Sequence, residues 1–323
     1  MPEVSVIIVN YRSWRRLGQC LDSLMAIKEN QLTFEVIIVD NASNDGVLAE
    51  FQTKYTSFHF ILNTGNNGFA NGCNLGARNT KGDHLLFLNP DTVIGEQAMQ
   101  GMLTRVRKSR VNSIISCRQV KSDGSEEKPY GKFLSPATLT GWLRALLRIT
   151  KGSIEVLLEN ADSYSPDWVS GSVIMISKET YANIKGWDED FWMYFEDVDL
   201  CKRARDAGGD IILLKNVTIE HNHGGSSRLN LQVTALTKTE VCISRHEYIA
   251  KHEKGLKGVY MQTFLVINNL VTGFIPAVLG VLLFFNKSLK IASIIYFNLT
   301  KYYINALINR TWVSPRSVRY KHK

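Results

Sequence analysis

The feature that most narrows the fold is a regular alternation through about residue 220, in which short β-branched apolar runs are separated by helical patterns. Strands are predicted near 4–10, 35–40, 58–62, 84–88, 113–120, 168–176 and 211–219, and helices near 14–28, 70–80, 95–108 and 197–207. Strands joined through helices predict an α/β fold with a largely parallel sheet covered on both faces. In open sheets of this kind, ligands bind beyond the C-terminal ends of the strands. The polar clusters Asn10-Tyr11-Arg12, Asp40-Asn41-Ala42-Ser43 and Asn89-Pro90-Asp91 fall at those ends.

A chain of 323 residues has room for one large α/β domain and an accessory region. The pattern divides into 1–230 and a helical region, 231–323, with a less regular insertion over 122–166 punctuated by Gly124, Pro129, Pro136 and Pro166. The opening run Val4–Val9 has neither a basic flank nor a cleavage signal and reads as a strand, not a signal peptide. Five cysteines, odd in number and widely spaced, fit a reducing compartment better than a disulfide framework or a zinc site. The net charge of +8 suits anionic partners, and part of it lies near the C-terminus, in Lys251, Lys254, Lys257, Arg316, Arg319, Lys321 and Lys323. Between them, residues 258–286 carry no charge and are long enough to cross a bilayer. Asn268, Asn269, Gly273, Pro276 and Gly280 interrupt this stretch, and bases flank both of its ends. Two readings stand: an interfacial or re-entrant helical hairpin, and a buried core helix.

Four segments bear on chemistry. Asn89-Pro90-Asp91 follows the apolar run Leu85–Leu88, so Asp91 falls where a carboxylate meets a divalent cation such as Mg²⁺ that bridges a diphosphate. It also reads as a turn that caps the next helix. The segment from Trp187 to Leu200 sets Asp188, Glu189, Asp190, Glu196, Asp197 and Asp199 among aromatic residues. Aromatic faces suit sugar rings, and a partly desolvated carboxylate suits a general base that takes a proton from an attacking hydroxyl. The same acids also read as partners of a helix dipole, with Trp187 and Phe191 in the core. After the last predicted strand, His221 and His223 offer a neutral imidazole as a second cation ligand, or a plain surface histidine. The Asn- and Gly-rich run Asn63–Gly76 enters a helix and offers backbone N–H groups to a phosphate or sugar hydroxyl, or reads as a plain turn; it has neither the lysine of a phosphate loop nor a dinucleotide fingerprint.

In order, Val9-Asn10-Tyr11, Val39–Gly46, Asn63–Gly76, Phe87–Asp91, Val169–Ser172, Trp187–Cys201 and His221–Ser227 resemble the family-2 bacterial glycosyltransferases of GT-A fold, and among them the rhamnosyltransferases of O-antigen and cell-wall assembly. The resemblance covers residues 4 to about 227. It implies that Asp40 contacts the nucleotide base and that Asn10, Tyr11 and Asn74 line the nucleotide pocket. It further implies that Asp91 binds the metal (Mg²⁺ or Mn²⁺), that Asp197 is the general base, and that a histidine after the last strand contacts metal or diphosphate. His221 fits the spacing to Ser226 better than His223. Asn89 stands where the broader family has the first aspartate of Asp-x-Asp, which speaks against a carboxylate pair as the metal site. The expected reaction is inverting transfer of a sugar, rhamnose from dTDP-rhamnose in the narrower reading, to a glycan or polyprenyl-diphosphate-linked acceptor. The expected setting is cytoplasmic, at the inner face of the cell membrane, with peripheral contact to anionic lipid and no nucleic acid partner. A sugar nucleotidyltransferase and a non-catalytic glycan-binding protein of the same fold are the rival readings.

Overall fold

A computed structural model describes all residues except 29–31, 144, 146–157, 161, 223–229, 284 and 322–323. The chain divides into two compact units. The first comprises Met1–Phe133, Val156–Glu189 and Glu196–Ser226; the second comprises Leu134–Glu155, Asp190–Phe195 and Ser227–Lys323.

The first unit is built on β1 (Val4–Asn10), β2 (Phe34–Asp40), β3 (His59–Leu62), β4 (His84–Leu88), β5 (Thr92–Val93), β6 (Ile114–Val120), β8 (Leu158–Asn160), β9 (Ser163–Ser165), β11 (Val173–Ser177) and β12 (Ile211–His221). They form one sheet in the order β3-β2-β1-β4-β11-β6-β12-β9-β8, with β5 added to β12. The short strands β7 (Tyr130–Gly131) and β10 (Trp168–Val169) pair separately. β1, β2, β3, β4, β6 and β12 run the same way, while β11 is inserted antiparallel between β4 and β6. The parallel strands are apolar runs because both faces are covered. Val4, Val6 and Ile8 face one buried cluster with helix α1 (Trp14–Met25), whereas Ile7 and Val9 face another with α3 (Phe69–Ala77). The remaining helices of this unit are α2 (Leu48–Lys54), α4 (Glu96–Lys108), α5 (Lys178–Asn183) and α6 (Glu196–Asp206). The helices expected from the pattern up to 220 are present, and so are the strands, except that the one expected near 168–176 is broken at 170–172 into β10, outside the main sheet, and β11; β5, β7, β8, β9, α2 and α5, all short, were not expected.

Glycines decide how closely α3 approaches the sheet. A Cβ on Gly72 would lie 2.7 Å from Val9 Cγ1, and one on Gly76 2.5 Å from Ile7 Cγ2 and 3.3 Å from Val39 Cγ2. The helix therefore lies lower on β1 and β2 than any side chain at those positions allows.

The second unit is helical: α7 (Leu231–His252), α8 (Gly255–Leu282), α9 (Lys287–Asn309) and α10 (Val318–Lys321). α8 and α9 form an antiparallel hairpin. Asn269 donates to Tyr303 Oη at 2.8 Å, Ser293 Oγ to the Ala277 carbonyl at 2.7 Å, and Gly280 lies against the Leu289 carbonyl. A buried polar knot ties α7 to them. His246 lies between Gln262 and Tyr303, stacks on Trp312 at 4.9 Å, and is driven down to about 4 by burial. The segment Asp190–Phe195 is held in this unit by Lys251 on Asp190 (2.9 Å), Ser244 on the Met193 carbonyl (2.9 Å), and Arg316 over Trp192 (5.5 Å).

Gly76→Ala should lower stability by about 1–2 kcal/mol, since overpacking against stiff β-branched Ile7 and Val39 outweighs the gain in helix propensity. A denaturation midpoint equal to or above that of the parent would refute the close-approach reading.

Candidate active site

The parallel strands deliver their C-terminal ends to one edge. Asn10 and Asp40 are register partners there, and Asn89 follows β4 directly. Because β11 runs the other way, its N-terminal end lies at that same edge, with Val173 opposite Leu88. Ser170, Gly171 and Ser172 are thus brought beside Asn89, whose N–H donates to the Ser172 carbonyl at 2.9 Å. The short β5 completes the corner: Thr92 pairs with His221, and Asn222 N–H donates to the Asp91 carbonyl at 2.9 Å.

This ladder sets Asp91 beside His221. Imidazole Nε2 lies 3.3 Å from Asp91 Oδ1, and His221 is 1% exposed. Nδ1 faces two acceptors, Gln119 Oε1 at 2.8 Å and Glu127 Oε2 at 3.2 Å, while Nε2 faces the Asp91 carboxylate. With the ring proton on Nδ1, the Nε2 lone pair and the Asp91 carboxylate oxygen converge as two donors for one cation. Their separation is close to the roughly 3 Å edge of an octahedron with ligands at about 2.1 Å. The donor set therefore fits one small divalent ion with two protein ligands. No cluster of three His, Cys, Asp or Glu able to hold a metal occurs among the described residues. Arg16 from α1 approaches Asp91 Oδ2 at 3.4 Å and donates to the Asn222 carbonyl. Asn89–Thr92 is also a turn, with Thr92 Oγ1 donating to the Asn89 carbonyl at 2.7 Å, but the cap of α4 is Gly95, not Asp91. His223 lies outside the described residues.

Asp197 stands in the first turn of α6, with Glu196 and Asp199 beside it and Arg203 and Arg205 in the last turn, the arrangement a helix dipole favours. Its Oδ2 accepts the Gly171 N–H at 3.0 Å and its Oδ1 the Val198 N–H at 2.8 Å. Burial pushes its carboxyl up from the ordinary aspartate value, against the pull of these N–H groups. Buried Glu196 is pushed up further, first by burial and then by the charge of Asp197. Asp199 is tied to Arg203 at 2.7 Å. Of the aromatic residues in this stretch, Trp187, Phe191 and Trp192 are buried; Trp187 packs edge-on against Phe69 and Phe87. Tyr194 and Phe195 remain half-exposed, both with positive φ.

The polar residues at the ends of β1 and β2 are locked together. Asp40 accepts from Asn10 Nδ2 at 3.3 Å and from Ser43 N–H at 3.2 Å, and both Asn10 and Asp40 are buried. Tyr11 is half-exposed, with the Arg12 guanidinium 5.3 Å from its ring centre. Asn74 braces the Gly186–Glu189 turn: its amide donates to the Trp187 carbonyl at 2.9 Å and to Glu189 Oε1 at 2.7 Å, and its oxygen accepts from Trp187 N–H and Tyr181. The sequence reading did not single out Arg16, Gln119, Glu127 or Gly171 by role. Gln119 did not stand out in β6, which also carries Ser116 and Arg118; Glu127 lay in the supposed insertion, and Arg16 in an unremarkable helix face.

Glu196 offers a test of this electrostatic setting. Its folded-state value lies above its unfolded one, so the stability it contributes is full below about pH 4 and is lost as pH rises through the folded value. The thermal midpoint of Glu196→Gln relative to the parent should therefore increase as pH rises above the ordinary glutamate range and level off once the folded value is passed. A pH-independent difference would refute the burial argument.

The glycosyl transferase family 2 model matches residues 5–149, and the model described as the N-terminal domain of galactosyltransferase matches residues 158–223. Low-salt glycan biosynthesis hexosyltransferase Agl10 of Haloferax volcanii is 27% identical over 69% of this chain and 68% of its own. Rhamnosyltransferase WbbL of Escherichia coli is 24% identical over 64% of this chain and 78% of its own. N-acetylglucosaminyl-diphospho-decaprenol L-rhamnosyltransferase of Mycobacterium tuberculosis is 23% identical over 69% and 76%, respectively. The structure of GalNAc-T7 with UDP, GalNAc and Mn²⁺ superposes with a TM-score of 0.55 at 15% identity, over 82% of this chain and 54% of that one. This chain thus spans about half the length of that protein, and the likeness establishes the fold. With the ordered motifs on one sheet edge and these relatives matched over the same region, residues 5–149 carry a family-2 glycosyl transferase domain, and the chain is a glycosyltransferase of GT-A fold that is similar to named rhamnosyltransferases.

Proposed function

We propose that this enzyme transfers a hexose or deoxyhexose, with inversion, from a nucleoside-diphosphate donor to a lipid-linked glycan, and that the narrower reaction is rhamnosyl transfer from dTDP-rhamnose to a polyprenyl-diphosphate-linked acceptor. One observation carries the reading. Ser170–Ser172 joins the two halves of the chemistry, with Gly171 N–H on Asp197 at 3.0 Å and the Ser172 carbonyl accepting from Asn89, two residues before Asp91. A base and a cation pair on either side of one short segment suit an in-line displacement. The donor and acceptor classes are supported by the named relatives, among them a rhamnosyltransferase whose acceptor is diphospho-decaprenol-linked.

Asp197 takes the proton of the acceptor hydroxyl as its oxygen attacks the anomeric carbon. The bond from that carbon to the diphosphate oxygen breaks, and the nucleoside diphosphate departs. The raised carboxyl of Asp197 is a stronger base than an ordinary aspartate, and its hydrogen bonds from Gly171 and Val198 fix its orientation. Asp91 and His221 would hold the divalent cation, Mg²⁺ or Mn²⁺. When bound, it supplies Lewis-acid neutralisation of the leaving diphosphate. Arg16, whose guanidinium already lies against Asp91, adds a fixed positive charge to that side. At the strand ends, the Asn10–Asp40 pair and half-exposed Tyr11 form the base-proximal wall of the donor site, which Asn74, braced on Glu189, helps to line.

The helical region is the membrane-contacting part, at the cytoplasmic face. From Lys254 to the C-terminus, ten basic residues occur and no acid. The described surface of the hairpin exposes Ile267, Val271, Phe274, Ile275, Leu282 and Phe285, while Lys287, Lys290, Lys301 and Arg310 are exposed on the same two helices or at their ends. α8 is long and apolar enough to span a membrane by composition, and 17% of its most apolar window is buried. An apolar face rimmed by bases favours lying in an anionic interface, where a lipid-linked acceptor would be presented.

Two measurements test these assignments. Asp197→Asn should lower kcat by about 10²–10⁴-fold while donor binding persists, and the parent should release nucleoside diphosphate, not pyrophosphate. Turnover retained in the variant refutes the base; pyrophosphate release points to nucleotidyl transfer. The parent should float with phosphatidylglycerol vesicles and much less with phosphatidylcholine vesicles, and Ile275→Glu/Leu282→Glu should abolish flotation. Full solubility with no vesicle binding at low salt would refute the interfacial hairpin.

A further inference from the structure

His221 has a second side. Nε2 faces Asp91, but what fixes the ring is packed behind it, on residues to which the reaction as described gives no role. Gln119 is 1% exposed on β6, in register with Ile219 of β12. Its Oε1 accepts from the Ser172 hydroxyl at 3.0 Å and faces His221 Nδ1 at 2.8 Å. Glu127 arrives by a tight reversal. Lys121 N–H donates to the Ser125 carbonyl, Gly124 takes φ +79°, and Glu127 N–H then donates to the Gln119 carbonyl at 2.9 Å. This turn carries a 7%-exposed carboxylate back along β6 to within 3.2 Å of Nδ1.

A neutral imidazole that ligates a cation through Nε2 carries its one proton on Nδ1, and oxygens of both Gln119 and Glu127 stand there to accept it. Nε2 is left as the lone-pair donor, aimed at the side where Asp91 Oδ1 lies 3.3 Å away. The opposite tautomer would set the Nδ1 lone pair against two acceptor oxygens. A carboxylate behind a ligating imidazole also raises its donor strength, and loss of such a partner typically weakens metal binding about 10–100-fold. The turn at 121–125 is thus more than a connection: it delivers the charge that makes His221 a ligand.

We propose that Gln119 and Glu127 are positioning residues that hold the proton of His221 on Nδ1, so that Nε2 is presented with Asp91 as a ready-made divalent-cation site. The proposal rests on the assignment of Asp91 and His221 to the cation, and the test separates the two. Long-range ¹H–¹⁵N spectra of the metal-free full-length protein should show His221 as the Nδ1–H tautomer. Glu127→Ala and Gln119→Leu should give mixed tautomers. Titration with Mn²⁺ alone, read by the electron paramagnetic resonance of the free ion, should show affinity reduced about 10–100-fold in both variants, with much of it recovered in Glu127→Gln, which keeps an acceptor oxygen. A thermal midpoint unchanged in Glu127→Ala separates positioning from folding; if Gln119→Leu unfolds, the Glu127 pair of variants and the parent spectrum carry the decision. An Nε2–H tautomer in the parent overturns the proposal outright. Unchanged Mn²⁺ affinity in Glu127→Ala, with affinity lost in His221→Ala, overturns the positioning role alone. Unchanged affinity in His221→Ala, or no Mn²⁺ binding by the parent, overturns the cation assignment and the proposal with it.

Discussion

The site depends on the reversal of a single strand. Had β11 run parallel to its neighbours, its N-terminal end would lie at the far edge of the sheet, and Ser170–Ser172 with it. Antiparallel pairing with β4 instead places Val173 opposite Leu88, so Gly171 can donate to Asp197 and Ser172 can accept from Asn89. The addition of β5 to β12 does the same for the other half, since pairing Thr92 with His221 fixes Asp91 beside the imidazole. Backbone ladders thus hold the side chains that matter, and their precision comes from the sheet rather than from the loops.

Electrostatics then separates the carboxylates into two kinds. Asp197 and Glu196 lie at a helix start with little solvent, and burial raises both despite the N–H groups aimed at them. Asp91 instead faces an imidazole and a guanidinium. A poorly solvated carboxylate suits a proton acceptor; one among cation-compatible partners suits charge neutralisation. In the proposed reaction, like groups in unlike surroundings would let one edge of the sheet serve both ends of the displacement.

The helical region follows a different logic. In the α/β unit, apolar runs are covered by helices, whereas α8 and α9 cover one another on one side and leave Val271, Phe274, Ile275 and Leu282 exposed. The breaks that made 258–286 ambiguous in sequence have specific uses: Asn269 bonds Tyr303, and Gly273 and Gly280 admit Tyr296 and the Leu289 carbonyl. They are the contacts of a hairpin, made by polar and small residues on the face between the helices.

By itself, the sequence determined the α/β alternation, the strand ends, and the positions of Asp91, Asp197 and His221, because hydrophobic period and local turn chemistry are written in consecutive residues. It also placed acids at the start of α6, where a dipole accepts them. Tertiary structure alone decided that β11 runs backwards, that Trp187 and Phe191 are core, and that Asn74 braces a turn, since each depends on partners far away in the chain. The pairing of Gln119 and Glu127 with His221 is the clearest case. The residues are separated by about a hundred positions, and nothing local to any of them signals the ladder that brings them together. Fields and hydrogen bonds act through space, so the chemistry of a carboxylate or an imidazole is fixed only once its neighbours are.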